Sequence, residues 1–315
     1  MDGHFLRIKI SRPFYRRYLH CPSSLTLHIC RQILYAIQIP ASRNAKGNQM
    51  PKNEIEIIYQ DDNIIVINKP AGVSVTKDRS GKPQLTDLLV KQLGKEMTAK
   101  LRLVHRLDKD TSGVMILALN RAAQRQFADY FFNRTVKKTY LALVKGAVLD
   151  PEGIVDAPIA PCKKKPDLMI IDHRGGKESV TNWRLLANFG LVSLIAATPI
   201  TGRTHQIRVH LASIGLPLAI DPLYAGREPI MLSEFKRDYR LGKFQEEKPL
   251  IERLTLHAYQ IIVPPESGIQ NNCFIAKLDK KFAATIKMLT KHNPKGPSAF
   301  FNPTEFDRIL AGQAI

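Results

Sequence analysis

Cysteine is scarce in this chain and never paired in sequence. The four present, Cys21, Cys30, Cys162 and Cys273, are widely separated, so no CxxC pair exists to hold zinc or run dithiol chemistry. A few unpaired cysteines in a long chain fit a reducing compartment. Nine histidines are scattered along the sequence. None forms an HExxH pair, so no metal site is expected. No apolar run approaches the roughly 18 residues of a membrane-spanning helix, and no membrane partner is expected. Acids are the other shortage: 28 Asp and Glu stand against 47 Lys and Arg in 315 residues, a formal net charge of +19. That excess favours a polyanionic partner, nucleic acid before an anionic membrane surface. Scattered surface charge is the plain alternative. Hydrophobic residues at 44% and charged residues at 24% are ordinary for a globular protein and exclude collagen-like or wholly disordered chains.

The charge is uneven. Residues 1–50 hold eight bases (Arg7, Lys9, Arg12, Arg16, Arg17, Arg31, Arg43, Lys46) and a single acid, Asp2. This basic extension reads as unstructured, as an organellar targeting segment, or as residues preceding a start at Met50. The expected location follows: cytoplasmic, or mitochondrial or another organelle if the segment is a transit peptide. From Glu54 the pattern changes to that of a folded domain. Ile55–Tyr59 and Ile64–Asn68 are β-rich runs around Asp61-Asp62-Asn63, a hairpin signal. Leu85, Leu88, Leu89 and Leu93 have helical spacing. Strands are expected at Val114–Leu119, Tyr140–Val144, Leu191–Ala197 and Leu256–Val263, and helices at Ala122–Phe132, Thr204–Ile214 and Ala283–Leu289. Lys163, Lys164 and Lys165 before Pro166 suggest an exposed basic loop. Strands and helices in mixed order favour α+β over a regular parallel sheet. The expected division is 1–50 as extension, 51–292 as catalytic domain, and 293–315 as a proline-containing tail, loosely docked or mobile.

Two segments concentrate reactive side chains. The first is His105-Arg106-Leu107-Asp108-Lys109-Asp110-Thr111-Ser112-Gly113, a polar loop running into an apolar strand. Loops held by a rigid scaffold often carry function, although a single Asp there is more often a cap or turn residue. The second is Gly202-Arg203-Thr204-His205-Gln206-Ile207-Arg208-Val209-His210-Leu211. On a helix starting near Thr204, residues 204, 208 and 211 share a face. A solvated basic helix is the commoner outcome. Against it, Arg208 lies among Ile207, Val209 and Leu211, and an arginine in such company needs an anionic partner.

Together these segments resemble the RluA-type family of pseudouridine synthases. The resemblance rests on Asn68-Lys69-Pro70-Ala71-Gly72, on HRLDKDTSG at 105–113, on Lys138-Thr139-Tyr140 and the following Leu141–Gly146, and on GRTHQIRVHLASIGLP at 202–217. A weaker match is Arg253–Ala258. The motifs run in the family's order over about residues 54–290. The resemblance implies the pseudouridine synthase fold: a mixed, mainly antiparallel central sheet flanked by helices and loops, with an active-site cleft across it. It implies Asp108 as the catalytic carboxylate, Tyr140 as the active-site tyrosine and Arg208 as the arginine paired with Asp108. Arg106 takes the place of the flipped base in the RNA stack, and His105, Arg203, Thr204, His205 and Gln206 contact substrate. Without the resemblance, Tyr140 reads as an ordinary core aromatic. Two departures stand out: Ala219-Ile220-Asp221 where the family usually has a Gly-Asp pair, and Pro264-Pro265 where it has a His-Pro turn. Neither is expected to touch Asp108, Tyr140 or Arg208.

The implied reaction breaks the N-glycosidic bond of uridine, rotates the base and rejoins it through carbon 5. It is redox-neutral and implies no metal and no cofactor. A carboxylate near the ribose can act as nucleophile, stabilise an oxocarbenium-like centre or take a proton. Arg208 offers it a permanently charged, planar partner. Tyr140 offers a face for uracil, and its hydroxyl a relay for the proton lost from carbon 5. No S4-type RNA-binding module is evident before residue 54, so the basic loops, Lys163–Lys165 among them, are candidates for phosphate contacts. The expected partner is RNA, large-subunit ribosomal RNA first and transfer RNA second, with the protein acting as a monomer. The competing readings are a catalytically silent RNA-binding assembly factor and a base-excising glycosidase.

Overall fold

The computed structural model describes residues 54–76, 83–242, 245–293, 296–301 and 303–315. The readings made for residues 1–50 lie outside the described residues. The fold is α+β. Its strands are β1 (Glu56–Gln60), β2 (Ile64–Lys69), β3 (Arg102–Leu103), β4 (Ser112–Ala118), β5 (Lys137–Lys145), β6 (Glu152–Asp156), β7 (Ile159–Pro161), β8 (Met169–Ile171), β9 (Val180–Asn188), β10 (Val192–Pro199), β11 (Leu256–Ile262) and β12 (Cys273–Ile275). The helices are α1 (Leu85–Leu93), α2 (Lys95–Lys100), α3 (Arg121–Phe132), α4 (Gln206–Ser213), α5 (Lys280–Lys291) and α6 (Pro303–Ala311). Ten strands form one sheet in the order β1-β2-β4-β11-β5-β10-β9-β6, with β12 beside β11 and β3 beside β4. Among the described residues, only β4 and β11 pair in parallel. The pair β7–β8 forms a separate two-stranded sheet.

Local chemistry explains the anticipated elements. The β1–β2 turn closes because Asp61 Oδ1 accepts the backbone N–H groups of Asn63 and Ile64, both at 2.7 Å, an aspartate acting as turn former. Asn120 caps α3 by accepting the Ala123 N–H at 2.8 Å. At the centre, Leu141, Ala142, Leu143 and Val144 of β5 are fully buried. Because strand side chains alternate, Leu141 and Leu143 join Phe282, Ile286 and Leu289 of α5 in one core. Ala142 and Val144 join Ile207 and Leu211 of α4 in another. Both faces of β5 are therefore covered, as its continuous apolar run requires. The same parity puts Tyr140 on the α4 side, where it packs against that second core. Gly113 marks the parallel junction. Its φ is +121°, and a Cβ there would lie 2.1 Å from the Ala258 carbonyl oxygen, so β4 and β11 could not approach with any side chain at this position.

The segment after His292 corrects the expectation of a loose tail. Helix α6 buries Phe306 and Ile309 in the core that holds α5. The Tyr259 hydroxyl donates to the Gln313 carbonyl at 2.7 Å, and Gln260 brackets the backbone of Ile315 from both sides. Proline and glycine punctuation around a short apolar stripe concealed this docking in the sequence. Phe306→Ala should lower stability by about 3–5 kcal/mol, the usual cost of emptying a buried aromatic site. Denaturant unfolding of the full chain checks this. A change below 1 kcal/mol would mean that α6 does not belong to the cooperative core.

Candidate active site

Three elements converge on a cleft of about 670 Å³: the loop before β4, the start of β5, and the turn entering α4. All nine residues singled out from the sequence line it, namely His105, Arg106, Asp108, Tyr140, Arg203, Thr204, His205, Gln206 and Arg208.

The loop carrying Asp108 is held from below by Lys69. This lysine is fully buried, and its Nζ donates to the carbonyls of Pro70 (3.0 Å), Val73 (2.8 Å) and Lys109 (2.9 Å). Burial pulls its pKa down to about 8, against the opposing charges of Asp110 and Asp108. The Lys109 carbonyl also accepts the Gly72 N–H, so the loop and the turn after β2 are tied together. His105 anchors the other end. Its ring stacks on Phe131 at 4.3 Å, and Nε2 accepts the Ile116 N–H at 2.9 Å. Burial, with Lys138's charge adding, pushes its pKa down to about 3. A contact of His105 with substrate is left to its ring and Nδ1, because Nε2 is taken. The histidine is a neutral peg whose acceptor nitrogen is occupied inside the protein, because the N–H of a core strand needs a partner.

Arg208 is 5% exposed, and its nearest partner is not Asp108. It donates Nε to Asp221 Oδ2 at 2.8 Å and Nη2 to Asp221 Oδ1 at 2.7 Å. Its Nη1 lies 3.7 Å from Asp108 Oδ2, within ion-pair range but beyond a hydrogen bond. The arginine is thus gripped on one side by Asp221 and faces Asp108 with the other. Burial opposes its charge, but Asp221 and then Asp108 more than offset this, leaving its pKa above the ordinary value. Asp221 is completely buried and also accepts the backbone N–H groups of Leu223 and Tyr224. The expectation that the Ala219-Ile220-Asp221 departure stays clear of Asp108, Tyr140 and Arg208 is therefore wrong.

The turn before α4 also differs from expectation. The helix starts at Gln206, and His205 sits before it in the left-handed region with φ +53°. Thr204 lies outside the helix and is exposed, so it does not share Arg208's helical face. His205 Nδ1 lies 3.1 Å from the Tyr224 hydroxyl, which itself accepts the Met169 N–H. The other ring nitrogen of His205, Nε2, faces Asp108 Oδ2 at 3.9 Å. Burial lowers the His205 pKa, against the charge of Asp108. The Tyr224 ring also lies under the Arg208 guanidinium at 5.1 Å. Gln206 was expected to touch substrate. Instead its amide is consumed by Thr201, Val180, Thr181 and the Arg203 N–H, which locks the turn to β9. Arg203 donates Nε to the Glu178 carbonyl at 3.1 Å. Arg106 is exposed at the cleft mouth. Burial pushes the Tyr140 phenol up, with Asp108's charge adding, so this hydroxyl stays protonated at physiological pH. Among the described residues, no group of three or more His, Cys, Asp or Glu could hold a metal ion.

A carboxylate, an arginine, a neutral phenol and a basic rim converge in one cleft of a mixed sheet. A family model described as RNA pseudouridylate synthase matches residues 63–213. The ribosomal large subunit pseudouridine synthase C of Vibrio parahaemolyticus is 38% identical over 250 residues, covering 79% of this chain and 74% of that protein. The chain belongs to the RluA-type family of RNA pseudouridine synthases. The ribosomal large subunit pseudouridine synthase D of Borreliella burgdorferi is 33% identical over 268 residues, covering 80% of this chain and 77% of that one. The solved structure of human RNA pseudouridylate synthase domain containing 4 shares the fold, with a TM-score of 0.55 and 30% identity over 74% of this chain and 92% of that one. This RNA pseudouridine synthase is accordingly an isomerase with an RNA substrate. Sequence reasoning missed Asp221, Tyr224 and the buried role of Lys69. An acid and an aromatic close after a Leu-Pro turn were the available signal for the first two. For Lys69 the signal was a lysine ending an otherwise apolar strand.

Proposed function

We propose that this pseudouridine synthase converts uridines of large-subunit ribosomal RNA, with Asp108 as the catalytic carboxylate. The observation that carries the reading is Asp108 at the floor of the cleft, facing Arg208 Nη1 at 3.7 Å with Tyr140 beside it. The relatives named for the ribosomal large subunit support the choice of RNA.

The chemistry follows from these groups. The N1–C1′ bond breaks, C1′ bonds to carbon 5, carbon 5 loses its proton and N1 gains one, so nothing is oxidised or reduced. Asp108 meets the electron-poor C1′ as nucleophile or counter-charge. Arg208, fixed by Asp221, keeps a permanent positive charge beside it. Tyr140 offers its ring to the uracil, and its neutral hydroxyl can donate or relay a proton but does not act as a phenolate. The target leaves its stack at a cost of a few kcal/mol, which Arg106, exposed at the mouth, offsets by filling the gap.

Carbodiimide-adduct primer extension tests the reading. Purified protein on a large-subunit transcript should create discrete new stops, and RNA from a deletion strain should lack them. Stops confined to transfer RNA would move the substrate assignment. Release of free uracil would indicate glycosidase chemistry, and binding without any stop would indicate an assembly factor.

A further inference from the structure

A half-buried cation of the cleft lacks a counter-charge among the described residues. Lys138, at the start of β5, lines the cavity half-buried. Among the described residues its ammonium has neither an ion pair nor a hydrogen bond. Desolvation and the charge of Arg134 bring its pKa down to about 8, and no carboxylate opposes them. Its neighbours are otherwise engaged. Arg134 is held in a two-pronged pair by Glu178 at 2.9 and 3.1 Å, and His105 is neutral. Lys69 shows the contrast, for it satisfies its ammonium with three carbonyls. Holding a partly desolvated cation without a partner is unfavourable, and a ligand that brings the negative charge removes the penalty.

Gly202 stands in front of this ammonium. It is exposed, lines the same cleft, and its backbone is not in the left-handed region. A Cβ there would meet only Lys138 Nζ, at 4.0 Å. Neither the backbone angle nor the packing of the protein requires a glycine. What its missing side chain provides is room for a ligand's close approach.

We propose that Lys138 and Gly202 form a phosphodiester subsite, in which a phosphate next to the target uridine seats on the Gly202 backbone and pairs with the Lys138 ammonium. This rests on RNA as substrate and adds where its backbone is held. In the RNA, phosphates are the only formal charges, and a lysine ammonium recognises one as a point charge.

The probe is a fluorescent stem-loop with uridines in its loop, together with versions in which one loop phosphate at a time is a neutral methylphosphonate. Lys138→Met should weaken binding of the parent RNA about tenfold, as expected for one charge-assisted contact. At one position the methylphosphonate should cost the wild type about the same, and cost Lys138→Met nothing further. Melting temperature should stay or rise in Lys138→Met, since a partly desolvated charge is removed. Lys138→Arg should restore most of the affinity. Gly202→Ala should melt like the wild type yet bind several-fold more weakly.

Losses that simply multiply at every phosphate would overturn the subsite. So would a Lys138→Met variant with normal affinity but a slowed single-turnover rate that arginine does not rescue, for the ammonium would then face the base. Assaying the same RNAs for pseudouridine keeps the two readings apart. A phosphate pattern without product leaves the subsite standing and removes the substrate assignment, while product without the pattern does the reverse.

Discussion

Asp108→Asn is expected to lower the single-turnover rate of pseudouridine formation by about four orders of magnitude or more, the scale seen when a residue acting directly on the reacting atoms is lost. RNA affinity and melting temperature should stay near wild type. The geometry explains why the effects separate. The Asp108 side chain is 23% exposed, and its neighbours Arg208 Nη1 and His205 Nε2 lie at 3.7 and 3.9 Å. Neither contact is a formed hydrogen bond, so an isosteric amide breaks none of them. Arg208 keeps its full charge and its closer grip on Asp221, which leaves the cleft wall in place. The variant lacks the anion itself. An amide can neither bond to C1′ as a carboxylate does nor counter its developing charge. Single-turnover assays at saturating enzyme, with binding measured in parallel, give the result. Product at a comparable rate would sink the carboxylate mechanism, while loss of rate together with loss of folding would call for a milder variant.

The distribution of what could be read from the sequence is physical. Strands β2, β4 and β5 were legible because burial on both faces leaves nearly continuous apolar runs, Leu141–Val144 above all. Strand β9 was not anticipated. Its buried Thr181 and Trp183 alternate with Asn182 and Arg184, so hydroxyl and indole do work usually signalled by Val or Ile. Asp108, Tyr140 and Arg208 came from their motifs, and strand parity then explains why Tyr140 shares a side with α4. What no motif revealed were contacts made by distant turns. Asp221 reaches Arg208 from thirteen residues downstream, and Tyr224 hydrogen-bonds the His205 ring through a hydroxyl that also accepts from Met169. The left-handed His205 was hidden for a similar reason. Helical spacing continues smoothly through Thr204, and only tertiary hydrogen bonds to Gln206 fix where the helix begins. Gln206 itself read as a substrate contact because a polar residue beside a cleft and one that braces the cleft look alike in sequence.

Asp221 gives the second large effect, and it should appear in stability and turnover together. Arg208 is buried, and Asp221 supplies both of its short hydrogen bonds. Removing that carboxylate leaves a guanidinium with Asp108 alone, at 3.7 Å. Breaking one side of a buried pair costs about 3–5 kcal/mol, so Asp221→Ala should unfold at clearly lower denaturant. Asp221→Asn separates the causes. Its remaining carbonyl oxygen can still accept the Leu223 and Tyr224 N–H groups, which preserves the turn, but it offers Arg208 no charge and only one acceptor. We expect Asp221→Asn to lose about 1.5–3 kcal/mol, the range for hydrogen bonds to charged groups. Well below its melting temperature, its single-turnover rate should still fall at saturating RNA with little change in affinity. Arg208→Lys should show the same split, because a lysine keeps the charge but cannot hold both Asp221 oxygens while facing Asp108. If Asp221→Asn were nearly as stable as wild type and fully active, Arg208 would be positioned by Asp108 and its helix alone. The fork to Asp221 would then be a packing contact rather than the support that aims the arginine at the carboxylate.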